Sequence, residues 1–138
     1  MWIQKEINLK PQKRGFHLIT DQILLNLPEL EKIKIGLVNI FLKHTSASLS
    51  LNENADPDVR VDMENFFSEI TGNKQYFTHN SEGNDDMPAH IKSAILGSSL
   101  TIPITNGRLN LGMWQGIYLC EHRNNSGSRK IFITINGE

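Results

Sequence analysis

The sequence holds a single cysteine, Cys120, among 138 residues. That excludes an internal disulfide and any cysteine-rich zinc site. Long hydrophobic runs are missing too. The longest is a few residues, far short of the ~20 that a spanning helix needs. The opening segment MWIQKEINLK lacks the apolar core of a signal peptide, so a cytoplasmic protein with no membrane partner is expected. Neither sign of charge is in excess. Lys plus Arg number 14 against 15 Asp plus Glu, a net charge of −1, which argues against a protein whose main work is binding nucleic acid. Linkers, repeats and low-complexity tracts are absent as well, so residues 1–138 read as one domain. A chain of this size should fold with a surface of about 7,300 Å², against about 23,000 Å² unfolded, enough burial for a core without staples.

What is present alternates like strands more than it cycles like helices. Trp2 to Leu9 reads as a strand. Phe16 to Leu27 reads as a short strand entering a short helix capped by Thr20 or Asp21. Ile33 to Thr45 is rich in β-branched and aromatic residues. Val38, Ile40, Leu42 and His44 share one parity, with Ile33, Ile35, Leu37 and Phe41 on the other, so both faces are expected to be buried. Ser48 to Asn52 alternates polar and apolar residues. Asp56-Pro57 is a helix start, followed by a stripe of Val59, Met63, Phe66, Phe67 and Ile70 and a stop at Gly72. A second helix over Pro88 to Leu96 would turn Ile91, Ala94 and Ile95 inward. Ser98–Ile104, Gly116–Arg123 and Arg129–Asn136 read as strands, and Asn106-Gly107 as a hairpin turn. The expected class is α+β, mostly antiparallel, with two or three helices.

Among five histidines, three stand in informative places. His44 ends a core-like strand, His79 sits in a polar loop, and His90 lies in the first turn of the second helix, whose positive end favours neutral imidazole. Neutral imidazole is the form that binds metal, and three imidazoles with an open position suit catalytic zinc. Spacing alone favours the alternative of three unrelated polar histidines. Acidic residues cluster as Glu53, Asp56 and Asp58, and as Glu82, Asp85 and Asp86. Asp56 and one of Asp85 and Asp86 suit helix capping. Glu53 and Glu82 have no capping task and could act as a base or orient a histidine. Arg108, Arg123 and Arg129 could grip phosphate or carboxylate. The run His44-Thr45-Ser46-Ala47-Ser48 offers small donors to an anion. Cys120, with no activating neighbour, reads as an inert buried thiol.

Three long stretches carry a resemblance. They are HTSASLSLNEN from His44 followed by DPD; EGNDDMPAHIK from Glu82; and GSSLTIPI from Gly97, continuing to GMWQGIYLCEHR from Gly112. Together they resemble the YjbQ family, whose members carry the name secondary thiamine-phosphate synthase. Met113 departs from the Thr usual before Trp-Gln. The resemblance implies β-sheets packed face to face with helices at one side, a homotrimer with sites near subunit boundaries, and a histidine-bound divalent metal. It implies His44, His79 and His90 as metal ligands, with zinc the expected ion. The remaining matched positions are Glu53, Glu82, Arg108, Trp114, Gln115 and Glu121. Glu53, Glu82 and Arg108 are expected to be catalytic, and Ser46, Trp114, Gln115 and Glu121 to shape the pocket for a small molecule, phosphorylated or not. The activity it implies joins a pyrimidine diphosphate to a thiazole phosphate, chemistry that Mg²⁺ would serve. A zinc-dependent hydrolase suits three imidazoles better, and a non-catalytic trimeric binding protein is the third option.

Overall fold

A computed structural model describes all of residues 1–138. The strands are β1 (Trp2–Leu9), β2 (Gly15–Leu18), β3 (Ile35–Leu42), β4 (Ala47–Glu53), β5 (Ser99–Thr105), β6 (Arg108–Leu109), β7 (Gln115–Glu121) and β8 (Arg129–Gly137). The helices are α1 (Thr20–Leu25), α2 (Pro57–Ile70) and α3 (Asp86–Leu96), with a 3₁₀ turn at Pro28–Lys32. Every strand pairing is antiparallel. One sheet runs β1-β8-β3-β5-β6 and the other β2-β7-β4. No helix is long and apolar enough to cross a membrane.

The period-two pattern explains the core. Val38, Ile40 and Leu42 of β3, Ile102 and Ile104 of β5, and Ile131, Ile133 and Ile135 of β8 meet Leu49, Ile117 and Leu119 of the smaller sheet. The two sheets thus pack face to face, each strand giving alternate side chains to one apolar layer. The smaller sheet's other face receives α2 and α3, and Phe16, Phe67, Tyr118 and Cys120 form a second, smaller cluster there. Asp56 caps α2 as expected, its side chain accepting from the Asp58 N–H at 2.9 Å. Asn106 and Gly107 both have positive φ, 51° and 78°, the geometry of a tight hairpin turn between β5 and β6.

Five local expectations are corrected. The strand after Ile33 is central but not buried on both faces, because nothing covers the outer face of the larger sheet. Ile35, Leu37 and Phe41 are exposed there. The strand also ends at Leu42, so His44 does not inherit its parity. On α2 only Phe67 of the apolar stripe is buried, and Phe66 and Ile70 face outward, because the helix lies across a three-stranded sheet too narrow to cover its whole stripe. On α3 the expected inward residues are displaced: Ile95 is 57% exposed, whereas Lys92 is 2% exposed. Finally, α1 has no side-chain cap, since the Thr20 hydroxyl accepts from the Ile117 N–H at 2.9 Å instead.

Candidate functional site

Helix α3 sets the geometry. Asp86 and His90 stand four residues apart, so they share one face. Asp86 lies in the first turn and is 1% exposed. The loop between α2 and α3 brings His79 onto the same carboxylate. His79 Nε2 lies 2.8 Å from Asp86 Oδ2, and His90 Nε2 lies 3.3 Å from Asp86 Oδ1. The two imidazole rings meet edge to face with centroids 5.1 Å apart. One nitrogen from each ring and one Asp86 oxygen all fall within 4.8 Å of one another.

The second nitrogen of His90 decides its chemistry. His90 Nδ1 lies 2.8 Å from the Thr45 carbonyl, which can only accept, so Nδ1 carries the proton. In the neutral ring Nε2 then turns a lone pair toward a carboxylate oxygen. Two electron-rich atoms so placed need a cation between them, either a proton or a metal ion. Carbonyl orientation of the far nitrogen is also the usual support of a metal-binding histidine. Two imidazoles and one carboxylate suit a borderline transition metal better than magnesium.

Arg123, at the end of β7, knits the acidic loop to this centre. Its Nε donates to Asp85 Oδ2 at 3.0 Å, one terminal nitrogen to Asp86 Oδ1 at 2.9 Å, and the other to the Glu82 carbonyl at 2.9 Å. The Glu82 carboxylate stands 3.8 Å from the same guanidinium and is largely exposed. Burial pushes the Asp85 carboxyl up, but the Asn124 N–H and Arg123 outweigh it and hold it below its ordinary value. Arg123 was legible only as one of three possible anion forks, and Asp86 only as a capping or magnesium carboxylate. The Asp-x3-His spacing from Asp86 to His90 was the available signal that would have joined the two.

His44 stands outside the set of mutually close ligand atoms. Its Nε2 accepts from the Lys130 N–H at 2.8 Å, so the neutral ring carries its proton on Nδ1 and has no free lone pair. Burial first, then Arg129, lowers its pKa and keeps the ring neutral. His44 and His90 nonetheless line one shallow surface cavity with Thr45 and Ser93. Ser46 is engaged through its carbonyl, which accepts from Arg129 at 3.1 Å.

The other expected site residues lie elsewhere within this chain. Glu121 does not face a pocket. Its carboxylate is fully buried and accepts from Arg129 Nε at 2.7 Å and from the guanidinium's terminal nitrogen at 2.5 Å. Burial pushes the Glu121 carboxyl up, but the bonds from Arg129 prevail and lower it. Glu53 closes the far end of β4, about 20 Å along the strand from Ala47, which adjoins α3. Its side chain accepts from the Asp56 N–H at 3.2 Å. Gln115 pairs with Glu53 in register, Trp114 precedes it with 60% exposure, and Arg108 follows the turn at the far end of β5. The histidine centre and the group Glu53, Arg108, Trp114 and Gln115 therefore occupy opposite ends of the sheets.

Just past the end of β7, His122 is 1% exposed. Its Nε2 lies 2.8 Å from the Ser48 hydroxyl and its Nδ1 has no partner. Burial pushes its pKa down to about 3. The Cys120 thiol is buried and pushed up to about 12, which makes it inert as expected.

Comparison with known proteins agrees with this architecture. The family described as "UPF0047 protein YjbQ-like" matches residues 5–138. The UPF0047 protein YjbQ of Escherichia coli O157:H7 is 52% identical over 138 residues, covering 100% of both chains. The UPF0047 protein YugU of Bacillus subtilis is 41% identical, covering 85% of this chain and 87% of the relative. Among solved structures, an uncharacterized conserved protein of the YjbQ/UPF0047 family from Clostridium acetobutylicum superposes with a TM-score of 0.84 at 37% identity, over 96% of this chain and 99% of that one. A YbjQ-like protein of unknown function from Sulfolobus solfataricus gives 0.86 at 27% identity, over 100% and 99%.

Proposed function

The chain belongs to the YjbQ-like UPF0047 family, and from that premise we propose that it is a metal-dependent enzyme whose ion is held by His79, Asp86 and His90. The observation that carries this reading is that Nε2 of His79 and Nε2 of His90 both converge on the Asp86 carboxylate, at 2.8 and 3.3 Å, while His90 Nδ1 is committed to Thr45. Zinc fits the donor set best. A divalent ion there supplies a Lewis acid and lowers the pKa of water near it. The chain's own residues would do the rest. Arg123 would hold Asp86 in place, Thr45 would fix the His90 tautomer, and the exposed Glu82 would take or give a proton at a substrate. This set favours hydrolysis of a small polar substrate.

Thiamine-phosphate synthesis is the second reading. One observation favours it: Glu82, Asp85 and Asp86 converge on Arg123, so carboxylate oxygens of the kind that hold magnesium and a guanidinium of the kind that meets a diphosphate stand beside the imidazoles.

The active unit in this reading is a homotrimer. The isolated chain exposes 8062 Å², more than the ~7,300 Å² expected of a compact monomer of this mass. Trp2, Asn136, Leu37 and Pro103 form one cross-strand row on the uncovered face of the larger sheet. Exposed Ile35 and Phe41 extend that apolar surface. Association would also let Glu53, Arg108, Trp114 and Gln115 of one copy approach the histidine centre of the next.

The test is zinc titration of metal-stripped protein, followed by turnover assays on phosphoester, amide and lactone panels and on the thiamine-phosphate precursors. One zinc per chain and chelator-sensitive turnover are expected. Absence of stoichiometric metal would sink the reading. Sedimentation equilibrium giving a monomer at micromolar concentration would sink the trimer.

A further inference from the structure

The buried lysine on α3 is unexplained by the histidine centre. Lys92 lies two residues beyond His90, on the opposite side of the helix, and is 2% exposed. Its ammonium makes no hydrogen bond and no ion pair with the rest of the chain. The side chain is buried along its length while Lys92 borders an adjoining cavity, and a cation so placed normally has a partner.

The space beside it is where a partner would sit. Lys92 lines a cavity of about 250 Å³ between the end of α2, the start of α3 and the segment after β7. None of the ten lining residues is hydrophobic. Arg14 also lines it, and Ser68, Asn73, Asn84 and Asn124 add hydroxyl and carboxamide groups. The nearby acids are already engaged. Asp85 accepts from Arg123 and from the Asn124 N–H, and Glu64 forms an ion pair with Arg14 at 3.0 Å and accepts from the Ser68 hydroxyl at 3.1 Å. The second Glu64 oxygen is buried without a partner, but Glu64 does not line the cavity. With Arg14 set against Glu64 and Arg123 against Asp85, Lys92 is the surplus cation.

We propose that this cavity binds a small oxyanion, a phosphate or carboxylate group, with Lys92 as its counter-charge and Arg14, Ser68 and the three carboxamides as further donors. The size argues for a single such group or a very small molecule bearing one, since drug-sized ligands fill about 300–1,000 Å³. The site is distinct from the histidine centre and shares no residue with His79, Asp86 and His90.

Calorimetric titration of the metal-stripped full chain tests this. Inorganic phosphate, sulfate and acetate are the probes, at constant ionic strength. Metal-free protein keeps an anion from binding at a metal ion. Saturable binding of phosphate or acetate is expected, and the stronger of the two identifies the group preferred. Lys92→Met keeps the length and apolar stem and should weaken binding at least tenfold, with zinc affinity unchanged within twofold. No saturable binding by any of the three probes, or equal binding by the Lys92→Met variant, overturns the proposal. If that variant fails to fold, amide chemical shifts of the wild-type chain decide. Phosphate or acetate should move the signals of Ser68, Asn73, Asn84, Lys92 and Asn124, and shifts confined to other regions overturn it.

Discussion

Two arginine–carboxylate clusters hang from the same end of β7, and they differ in what they leave free. Glu121 and Arg129 form a closed pair, with side chains 0% and 7% exposed. The guanidinium spends its remaining reach on the Ser46 carbonyl. Two residues on, Arg123 serves Asp85, Asp86 and Glu82, and the cluster opens to solvent through His79, whose side chain is 51% exposed. The chemistry of the pairs is alike, so the difference is access. A satisfied, sealed pair can only hold backbone together, here the segment that carries His44, Thr45 and Ser46 against β8. An open pair with spare nitrogen and oxygen donors can accept an ion or a substrate.

Breaking the closed pair should have the largest effect. Arg129→Met strands the Glu121 carboxylate without its partner. Loss of one member of a buried pair costs about 3–5 kcal/mol, and a urea melt of the variant should show a loss of that size. Zinc affinity should fall by less than about tenfold, through looser placement of the Thr45 carbonyl. A loss below about 1 kcal/mol would mean that the pair is hydrated and not sealed.

His79→Ala should invert that result. The ring is half exposed and its removal opens no cavity, so metal-free stability should change by less than about 1 kcal/mol. Zinc affinity should drop about 100-fold, because one of three protein ligands is gone. Equal zinc affinity in this variant would remove His79 from the centre. Together the two variants separate a clamp from a site, each moving the quantity that the other leaves nearly still.

Sequence patterns foretold the elements that rest on local chemistry. Asp56-Pro57 starts α2 and Asn106-Gly107 turns β5 into β6, because capping and positive φ are properties of a few adjacent residues. The alternation of Val38, Ile40 and Leu42 identified the core face of β3. Patterns failed where a distant element decides. Whether Leu37 is covered depends on whether any layer lies over it, and none does within this chain. Lys92 is buried and Ile95 is exposed because α3 is rolled by the anchoring of Asp86 on Arg123 and of the Ser93 hydroxyl on the Ala47 carbonyl. Periodicity on α3 cannot register those contacts. At the site, His79 and His90 were legible as candidates, whereas the Asp86 carboxylate between them was hidden behind its expected role as a cap.

The closed region also carries a proton-linked weakness. His122 sits beside Glu121 and is neutral when folded, with its pKa pushed down to about 3 by burial. Unfolded, the ring titrates near its ordinary ~6.5. Below that value the unfolded chain takes up a proton that the folded chain refuses. Stability is therefore full above about pH 6.5 and falls as the pH drops toward about 3, by up to about 1.4 kcal/mol per pH unit. Urea melts between pH 7 and pH 4 on metal-stripped protein should show this slope, and His122→Gln should flatten it. A His122→Gln variant with the same slope as wild type would mean that other groups carry the acid sensitivity. Glu121 adds in the same direction but later. Its carboxyl is lowered on folding, so its contribution is present above the unfolded value near 4.3 and is lost as the pH falls through its folded value.

The smallest effect is expected at the far end of the sheets, where Trp114→Phe sharpens the contrast between what folds the chain and what the proposed trimer would use. The indole is 60% exposed, and the one bond that the residue supplies is through its backbone carbonyl, which accepts from the Asn54 N–H at 2.8 Å. Phenylalanine preserves that bond and removes only a ring edge that the isolated chain leaves in water. The unfolding free energy of the dissociated chain should change by less than about 0.5 kcal/mol, and zinc affinity should not change, because the histidine centre lies at the other end of β4. A large exposed tryptophan is nevertheless the side chain most often buried by a partner. If copies associate so that this end meets a neighbour's histidine centre, Trp114→Phe should raise the dissociation constant of the trimer, or the KM of the zinc-loaded enzyme, while leaving the melting of the monomer where it was. Sedimentation equilibrium run beside a denaturant melt distinguishes the outcomes. A variant that loses monomer stability shows Trp114 to be part of the fold after all, and one that changes neither quantity takes it out of both fold and assembly.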